Sequence, residues 1–253
     1  MRTLKVTIAY DGTDFAGWQR QATARTVQAA IEDALVPIEG ERVVITGAGR
    51  TDAGVHAAGQ VASFSLKSAI DIVDLQRALN ATLPDDIRIM RVEEVPAAFN
   101  ARFDARRKTY HYSLWLGGVL PPHLRHYAWH IPQRLDMDAM NAAAGSLLGT
   151  HDFAAFQASG SDVQTTVREV VLSRIVNSSP GPTISGEGDL VRYEVTGNGF
   201  LRHMVRNIVG TLIDVGRRRL ASEEVCAILD SRDRGRASAT APPHGLTLWS
   251  VEY

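Results

Sequence analysis

The sequence contains one cysteine, Cys226. A single thiol excludes an intrachain disulfide framework and a cysteine-built zinc site. Its neighbours Val225, Ala227, Ile228 and Leu229 predict a buried, inert thiol. No apolar run approaches the roughly 20 residues of a membrane span. The N-terminus moves straight into alternating Leu4, Val6, Ile8 and Tyr10, with no signal-peptide core. These absences point to a soluble chain in a reducing, cytoplasmic setting with no membrane partner. Formal net charge is -1 over 253 residues, so no global basicity announces a nucleic acid and only local clusters bear on that question. Gly47-x-Gly49 lacks the third glycine and helix start of a dinucleotide fingerprint, and no Walker-type Lys-Ser/Thr follows. His123, His126 and His130 have no carboxylate or cysteine among them and lie in a loop bounded by Pro121, Pro122 and Pro132, which argues against metal. Neither a metal at these histidines nor a nucleotide cofactor is expected.

What is present is a run of half-buried elements. Residues 4–10 alternate as a strand. Thr26 stands ready to cap a helix whose apolar face is Val27, Ala30, Ile31, Ala34, Leu35 and Ile38. A strand is expected at 42–48 and another at 60–66. A helix carries Ile72, Leu75 and Leu79, and a strand near 87–95 completes a β-α-β-β-α-β order. The same order is expected again. Tyr110, Tyr112, Leu114 and Leu116 alternate along a strand, a helix follows at 136–148, and a hairpin pairs 165–176 with 189–196 across a long polar loop. Leu201, Met204, Val205, Ile208, Leu212 and Val215 mark an apolar helix, followed by a short helix at 222–230 and a strand at 246–252. The fold class is therefore α+β: two ferredoxin-like halves, 1–104 and 105–253, with antiparallel sheets joined edge to edge, helices on one side and a cleft between the halves.

One stretch stands apart. Gly47-Ala-Gly-Arg-Thr-Asp-Ala-Gly-Val-His56 frames Arg50 and Asp52 with three glycines and no bulky side chain between them. Glycine permits positive φ and close backbone approach. Read alone, the loop fits a surface turn with Asp52 as a cap, or a loop that presents a carboxylate for chemistry.

Basic residues cluster locally. Arg102, Arg106, Arg107 and Lys108 face one acid, Asp104; Arg202, His203 and Arg206, then Arg217, Arg218 and Arg219, face Asp214. Such groups are either solvated faces or phosphate contacts. Phe103, Tyr110, Tyr112 and Phe200 lie close by in sequence and suit base stacking. Arg206 sits inside an apolar helix, where a buried guanidinium needs a carboxylate. Asp52 is the candidate partner.

These residues bring a family into view. The chain resembles the bacterial TruA family of tRNA pseudouridine synthases nearly end to end. The resemblance rests on Tyr10-Asp-Gly-Thr-x-Phe-x-Gly-Trp-Gln-Arg-Gln21, Gly49-Arg-Thr-Asp-Ala-Gly-Val-His56, Asn80-x-x-Leu-Pro84, Phe99-x-Ala-Arg-Phe103 and Gly149-x-His-Asp-Phe153. It continues through Phe200-x-x-His-Met-Val-Arg-Asn-Ile-Val-Gly210 and Ala241-Pro-x-x-Gly-Leu-x-Leu248. It implies an isomerase acting on uridines 38, 39 and 40 of the tRNA anticodon stem-loop, a homodimer, and no cofactor. By motif match it implies that Asp52 is the catalytic aspartate and that Arg50 helps receive the flipped nucleotide. It also implies that Tyr110 stacks on the uracil, Arg206 pairs with Asp52, and Leu248 lines the pocket. Arg102, Arg106, Arg107, Lys108 and Arg202 form the expected RNA-binding surface.

The chemistry is compatible with the residues present. A base must leave the helical stack, at a cost of a few kcal/mol. A carboxylate then acts at the sugar or the base. Two other readings stay open on the residues alone. A non-catalytic RNA-binding module accounts for the basic clusters but not for a glycine-framed Asp. A glycosidase needs a second carboxylate, for which Asp11, Asp14 and Asp152 are available.

Overall fold

The computed structural model describes residues 1–158, 160, 163–178 and 188–253. Among them the chain is a mixed α+β protein with ten strands, mostly antiparallel, and five α-helices. It divides into two compact units, residues 1–106 with Thr247–Tyr253, and Arg107–Leu246.

In the first unit, β1 (Arg2–Tyr10), α1 (Val27–Glu39), β2 (Thr46–Gly47), β3 (His56–Leu66), α2 (Ile72–Thr82) and β4 (Ile87–Val95) follow the expected β-α-β-β-α-β order. β1 lies antiparallel between β4 and β3. The outer edge of β3 is shared. β2 pairs antiparallel with Ala62 and Ser63, and the C-terminal β10 (Leu246–Glu252) runs parallel to His56 and Ala57. Leu4, Val6 and Ile8 alternate inward on β1, and Ile31, Leu35, Leu75 and Leu79 are wholly buried with them. Thr26 caps α1 through Ala29 N–H, and Gly40 ends it at φ 79°.

The strand expected at 42–48 shrinks to two residues. The cause is tertiary. Ile45 N–H donates to Glu32 at 3.2 Å and Ile45 C=O accepts from Gln28 at 3.2 Å. Both helical side chains take backbone groups that a longer ladder would have used. β3, in turn, starts at His56, four residues before its expected start.

The second unit holds β5 (Arg107–Gly117), β6 (Trp129–Ile131), α3 (Met137–Gly145), β7 (Gly149–Asp152), β8 (Val167–Asn177), β9 (Gly188–Gly197), α4 (Met204–Gly216) and α5 (Glu224–Ser231). β5, β9, β8 and β7 form an antiparallel series, with β6 parallel to β5. Two short strands, β6 and β7, were not expected. α3 stops at Gly145, short of 148, as the Ser146 hydroxyl turns back onto Ala143 C=O at 2.7 Å. The long polar loop expected between β8 and β9 falls largely on 179–187, outside the described residues. No helix among the described residues is long and apolar enough to cross a membrane.

Cys226 is exposed, not buried. On α5 the buried residues are Val225, Ile228 and Leu229. Their spacing defines one helical face, and a residue one step past Val225 is turned about 100° away from it.

Candidate active site

The loop carrying Asp52 runs from the end of β2 to the start of β3. Thr51 is buried, Asp52 half-buried and Arg50 exposed. Two sets of contacts fix it. From β3, Val61 C=O accepts Ala48 N–H at 2.7 Å, and the Gln60 amide donates to Gly49 C=O at 2.9 Å. From the loop after β1, Trp18 N–H donates to Thr51 C=O at 3.1 Å, and Phe15 C=O accepts Gly54 N–H at 3.3 Å. The Tyr10 hydroxyl meets Thr51 Oγ1 at 2.8 Å. Burial pushes the Tyr10 phenol well above its usual pKa, so the bond is between neutral hydroxyls.

Glycine is required where the two loops touch. Gly17 has φ 99°, and a Cβ there would lie 2.7 Å from Thr51 C=O. A Cβ on Gly12 would fall 2.0 Å from Val55 C=O. The Tyr10–Gln21 motif therefore acts as a brace, holding the Asp52 loop by direct backbone contact. That role was not read from the sequence, although the spacing of Gly12 and Gly17 was its visible trace.

Leu248 is wholly buried. On β10 it stands opposite Ala57, beside the strand that leaves the Asp52 loop.

In the second unit Tyr110 lies on β5 opposite Val195 of β9 and is 8% exposed. Phe200 meets its ring edge-on, with centroids 5.1 Å apart at 83°. Arg206 occupies the first turn of α4 and is half-buried. Its Nε donates to Ala241 C=O at 2.8 Å, and Ala241 N–H donates to Arg206 C=O at 3.1 Å. A Cβ on Gly210 would sit 1.9 Å from Ala239 C=O, so segment 239–241 lies directly on α4. Buried Asn207 ties the same elements together. Its amide donates to Phe156 C=O at 2.7 Å and its carbonyl accepts from Thr240 and Arg234. This accounts for the run from Phe200 to Gly210 and for Ala241 as parts of one scaffold around Arg206.

The basic residues divide by environment. Arg102, Arg106, Arg107 and Arg202 are exposed and Lys108 is half-buried. Arg217 and Arg219 pair with Asp214, and Arg218 with Asp136 at 3.0 Å. Two of the three carboxylates offered by the glycosidase reading have structural work. Asp11 accepts from Thr13 N–H and Oγ1 and lies 3.1 Å from His56 Nδ1. Asp152 caps Ala154 N–H and pairs with Arg232 at 3.1 Å. The Thr166 hydroxyl is the largest influence holding the Asp152 pKa below the usual carboxylate range, and burial opposes it. Asp14 is exposed on the loop after β1. Among the described residues no three His, Cys, Asp or Glu side chains come together as a metal site.

Comparison with known proteins gives a consistent result. The family described as tRNA pseudouridine synthase matches residues 6–104 and 143–253. The tRNA pseudouridine synthase A of Moorella thermoacetica is 45% identical over 255 residues, covering all of both chains. That of Acetivibrio thermocellus is 44% identical over 253 residues, again covering both completely. The Anoxybacillus flavithermus enzyme is 44% identical over all of this chain and 99% of its own. Among solved structures, an archaeal box H/ACA sRNP Nop10–Cbf5 complex aligns with 95% of this chain and 46% of that one. It does so at 14% identity and a TM-score of 0.33, too low to carry an argument. With a family match that reaches into both units and full-length relatives at this identity, the chain belongs to the TruA family of tRNA pseudouridine synthases, isomerases that convert uridine in tRNA to pseudouridine.

Proposed function

We propose that this chain, as a homodimer, isomerises uridines 38, 39 and 40 in the tRNA anticodon stem-loop, with Asp52 as the acting carboxylate. The reaction breaks N1–C1′, turns the uracil and joins C5 to C1′. The C5 proton leaves and N1 takes one up, so no redox partner or energy source is consumed. The reading assigns four further roles. Arg50 receives the flipped nucleotide, Tyr110 stacks on the uracil, Leu248 lines the pocket, and the terminal nitrogens of Arg206 meet the Asp52 carboxylate. Arg102, Arg106, Arg107, Lys108 and Arg202 take phosphates.

The observation that carries the proposal is the Asp52 loop itself. Peptides on both sides of the carboxylate are tied to β3 and to the Gly12–Trp18 loop. A surface cap has no need of such bracing, whereas a group that must meet a reacting atom depends on its position. The test is Asp52→Asn with anticodon stem-loop RNA. Turnover is expected to vanish while RNA affinity stays close to that of the unaltered protein. Near-normal isomerisation by Asp52→Asn would remove Asp52 from the chemistry, and release of free uracil would return the glycosidase reading.

A further inference from the structure

We propose that Phe103, with the Arg102 guanidinium beside it, is a stacking platform for an unpaired base of the RNA. This rests on the reading of the chain as an anticodon stem-loop enzyme. Phe103 is 76% exposed. A large apolar ring so open to water is unremarkable on a loose loop. This loop is not loose. Asn100 Oδ1 accepts from the N–H groups of Arg102 and Phe103, at 2.9 and 3.2 Å. Asp104 closes the turn on the other side, its carboxylate accepting Asn100 N–H at 2.8 Å and its own N–H donating to Asn100 C=O at 3.0 Å.

The turn is also pinned to the sheet. Ala101 is wholly buried, its N–H donates to Ser63 Oγ on β3 at 3.0 Å, and its C=O accepts from the Tyr253 hydroxyl at 2.9 Å. Tyr253 packs on Phe99, with ring centroids 5.0 Å apart. The chain is thus anchored two residues before Phe103 and closed immediately after it, and the ring is held out from that frame. A rigid aromatic loses little conformational freedom on binding, which favours recognition.

The chemistry of the surroundings selects the occupant. The Arg102 guanidinium lies 5.5 Å from the Phe103 centroid, within cation–π range. Arg102 and Arg106 are both exposed. An exposed aromatic ring with a guanidinium against it suits a base on its phosphodiester backbone, where the ring stacks and the guanidinium meets the phosphate. It suits an apolar protein surface poorly, since that would bury the same cations.

The experiment measures anticodon stem-loop binding and turnover for Phe103→Ala and Phe103→Trp. Truncating an exposed ring leaves the core intact, and matching thermal melts establish that. Phe103→Ala is expected to weaken binding about tenfold and to raise KM with kcat retained. The salt slope of binding stays the same, because no charge is lost. Phe103→Trp restores affinity. Unchanged Kd and KM in Phe103→Ala overturn the inference. So does a loss of affinity that tracks dimer dissociation in sedimentation, since the ring would then contact a second copy of the chain. If the unaltered protein does not isomerise the stem-loop, the functional reading fails as a whole. If it does and Phe103→Ala matches it, the stacking platform alone fails.

Discussion

The Trp18 backbone N–H donates to the carbonyl of Thr51 at 3.1 Å, one residue before Asp52. Gly17 makes that approach possible, because a side chain there would collide with the same carbonyl. Two loops distant in sequence are thus joined through peptide groups as well as side chains, such as the Tyr10 and Thr51 hydroxyls, an arrangement that keeps a neighbouring carboxylate in place.

Gly17→Ala is expected to disturb this contact in two ways. It forces a Cβ-bearing residue to φ 99° and places that Cβ 2.7 Å from Thr51 C=O. Gly40→Ala is the control, since Gly40 also has positive φ, at 79°, but nothing lies within 4 Å of its Cβ position. The control is expected to lose about 1–2 kcal/mol, the left-handed penalty. Gly17→Ala adds overpacking of roughly 1–3 kcal/mol and should also lower kcat, which Gly40→Ala should not. Urea unfolding with single-turnover kinetics separates the two.

A second expectation concerns pH. The Glu32 side chain is wholly buried, with Arg20 Nε at 2.7 Å and Arg42 Nη2 at 2.9 Å. Burial alone pushes its pKa up. Hydrogen bonds from Arg42, Gln28, the Ile45 N–H and Arg20 together outweigh burial and hold it below the usual Glu range. A carboxyl depressed on folding stabilises the protein above its unfolded pKa, about 4.3, and that contribution is lost as pH falls through the folded value. Stability should therefore decline below about pH 4.3, and Glu32→Gln should flatten this part of the curve. Glu32→Ala leaves the buried Ile45 N–H without its acceptor and Arg42 without its carboxylate, while Arg20 keeps Asp33 at 2.6 Å, so the cost is about 1–3 kcal/mol. Denaturant midpoints measured from pH 3 to 7 check both.

Much of this was legible in the sequence, for physical reasons. Periodicity depends on local faces, so Leu4–Tyr10, the helix from Val27 and the strand at 87–95 could be read directly. The Asp52 loop stood out because three glycines surround Arg50 and Asp52, and at Gly47 the reason is close packing, since a Cβ there would lie 2.6 Å from the Trp18 ring. What failed depended on distant partners. Ile45 looks like a strand residue, but its backbone groups go to Gln28 and Glu32 on α1. Cys226 looks buried by its neighbours' composition, but helical rotation turns it outward. β6 and β7, three and four residues long, are too short to show a period. The brace from Gly12 to Trp18 rests largely on close backbone approach, of which Gly12 and Gly17 are the clearest mark in the sequence.

Asn207 tests the scaffold around Arg206. It is wholly buried and its amide is satisfied at both ends, by Phe156 C=O and by Thr240 and Arg234. Asn207→Ala leaves the buried Phe156 C=O without its donor and takes an acceptor from half-buried Thr240 and Arg234, at a cost of about 1–3 kcal/mol. Because Asn207 adjoins Arg206 on the same turn of α4, kcat should fall by more than RNA affinity does. Equal losses in kcat and affinity would assign Asn207 to general stability alone. Thermal melts and steady-state kinetics on the same samples distinguish the outcomes.

The last prediction concerns Arg106 and Arg107. Both are exposed, and the Arg106 N–H donates to Glu252 C=O at 2.8 Å, so the backbone there is held by the C-terminal strand while the side chain extends into solvent. Exposed ion contacts contribute little to folding, so Arg106→Gln with Arg107→Gln should leave the melting temperature nearly unchanged. Phosphate contacts have a different signature. Each one lost lowers the slope of log Kd against log salt by about 0.7–0.9, so the double variant should lose roughly 1.5 in slope and bind RNA more weakly at low salt. Asp52→Asn should keep the full slope, since it removes no cation. Binding titrations at four or five salt concentrations decide the matter. An unchanged slope in the double variant would make both arginines solvated surface, whatever its affinity.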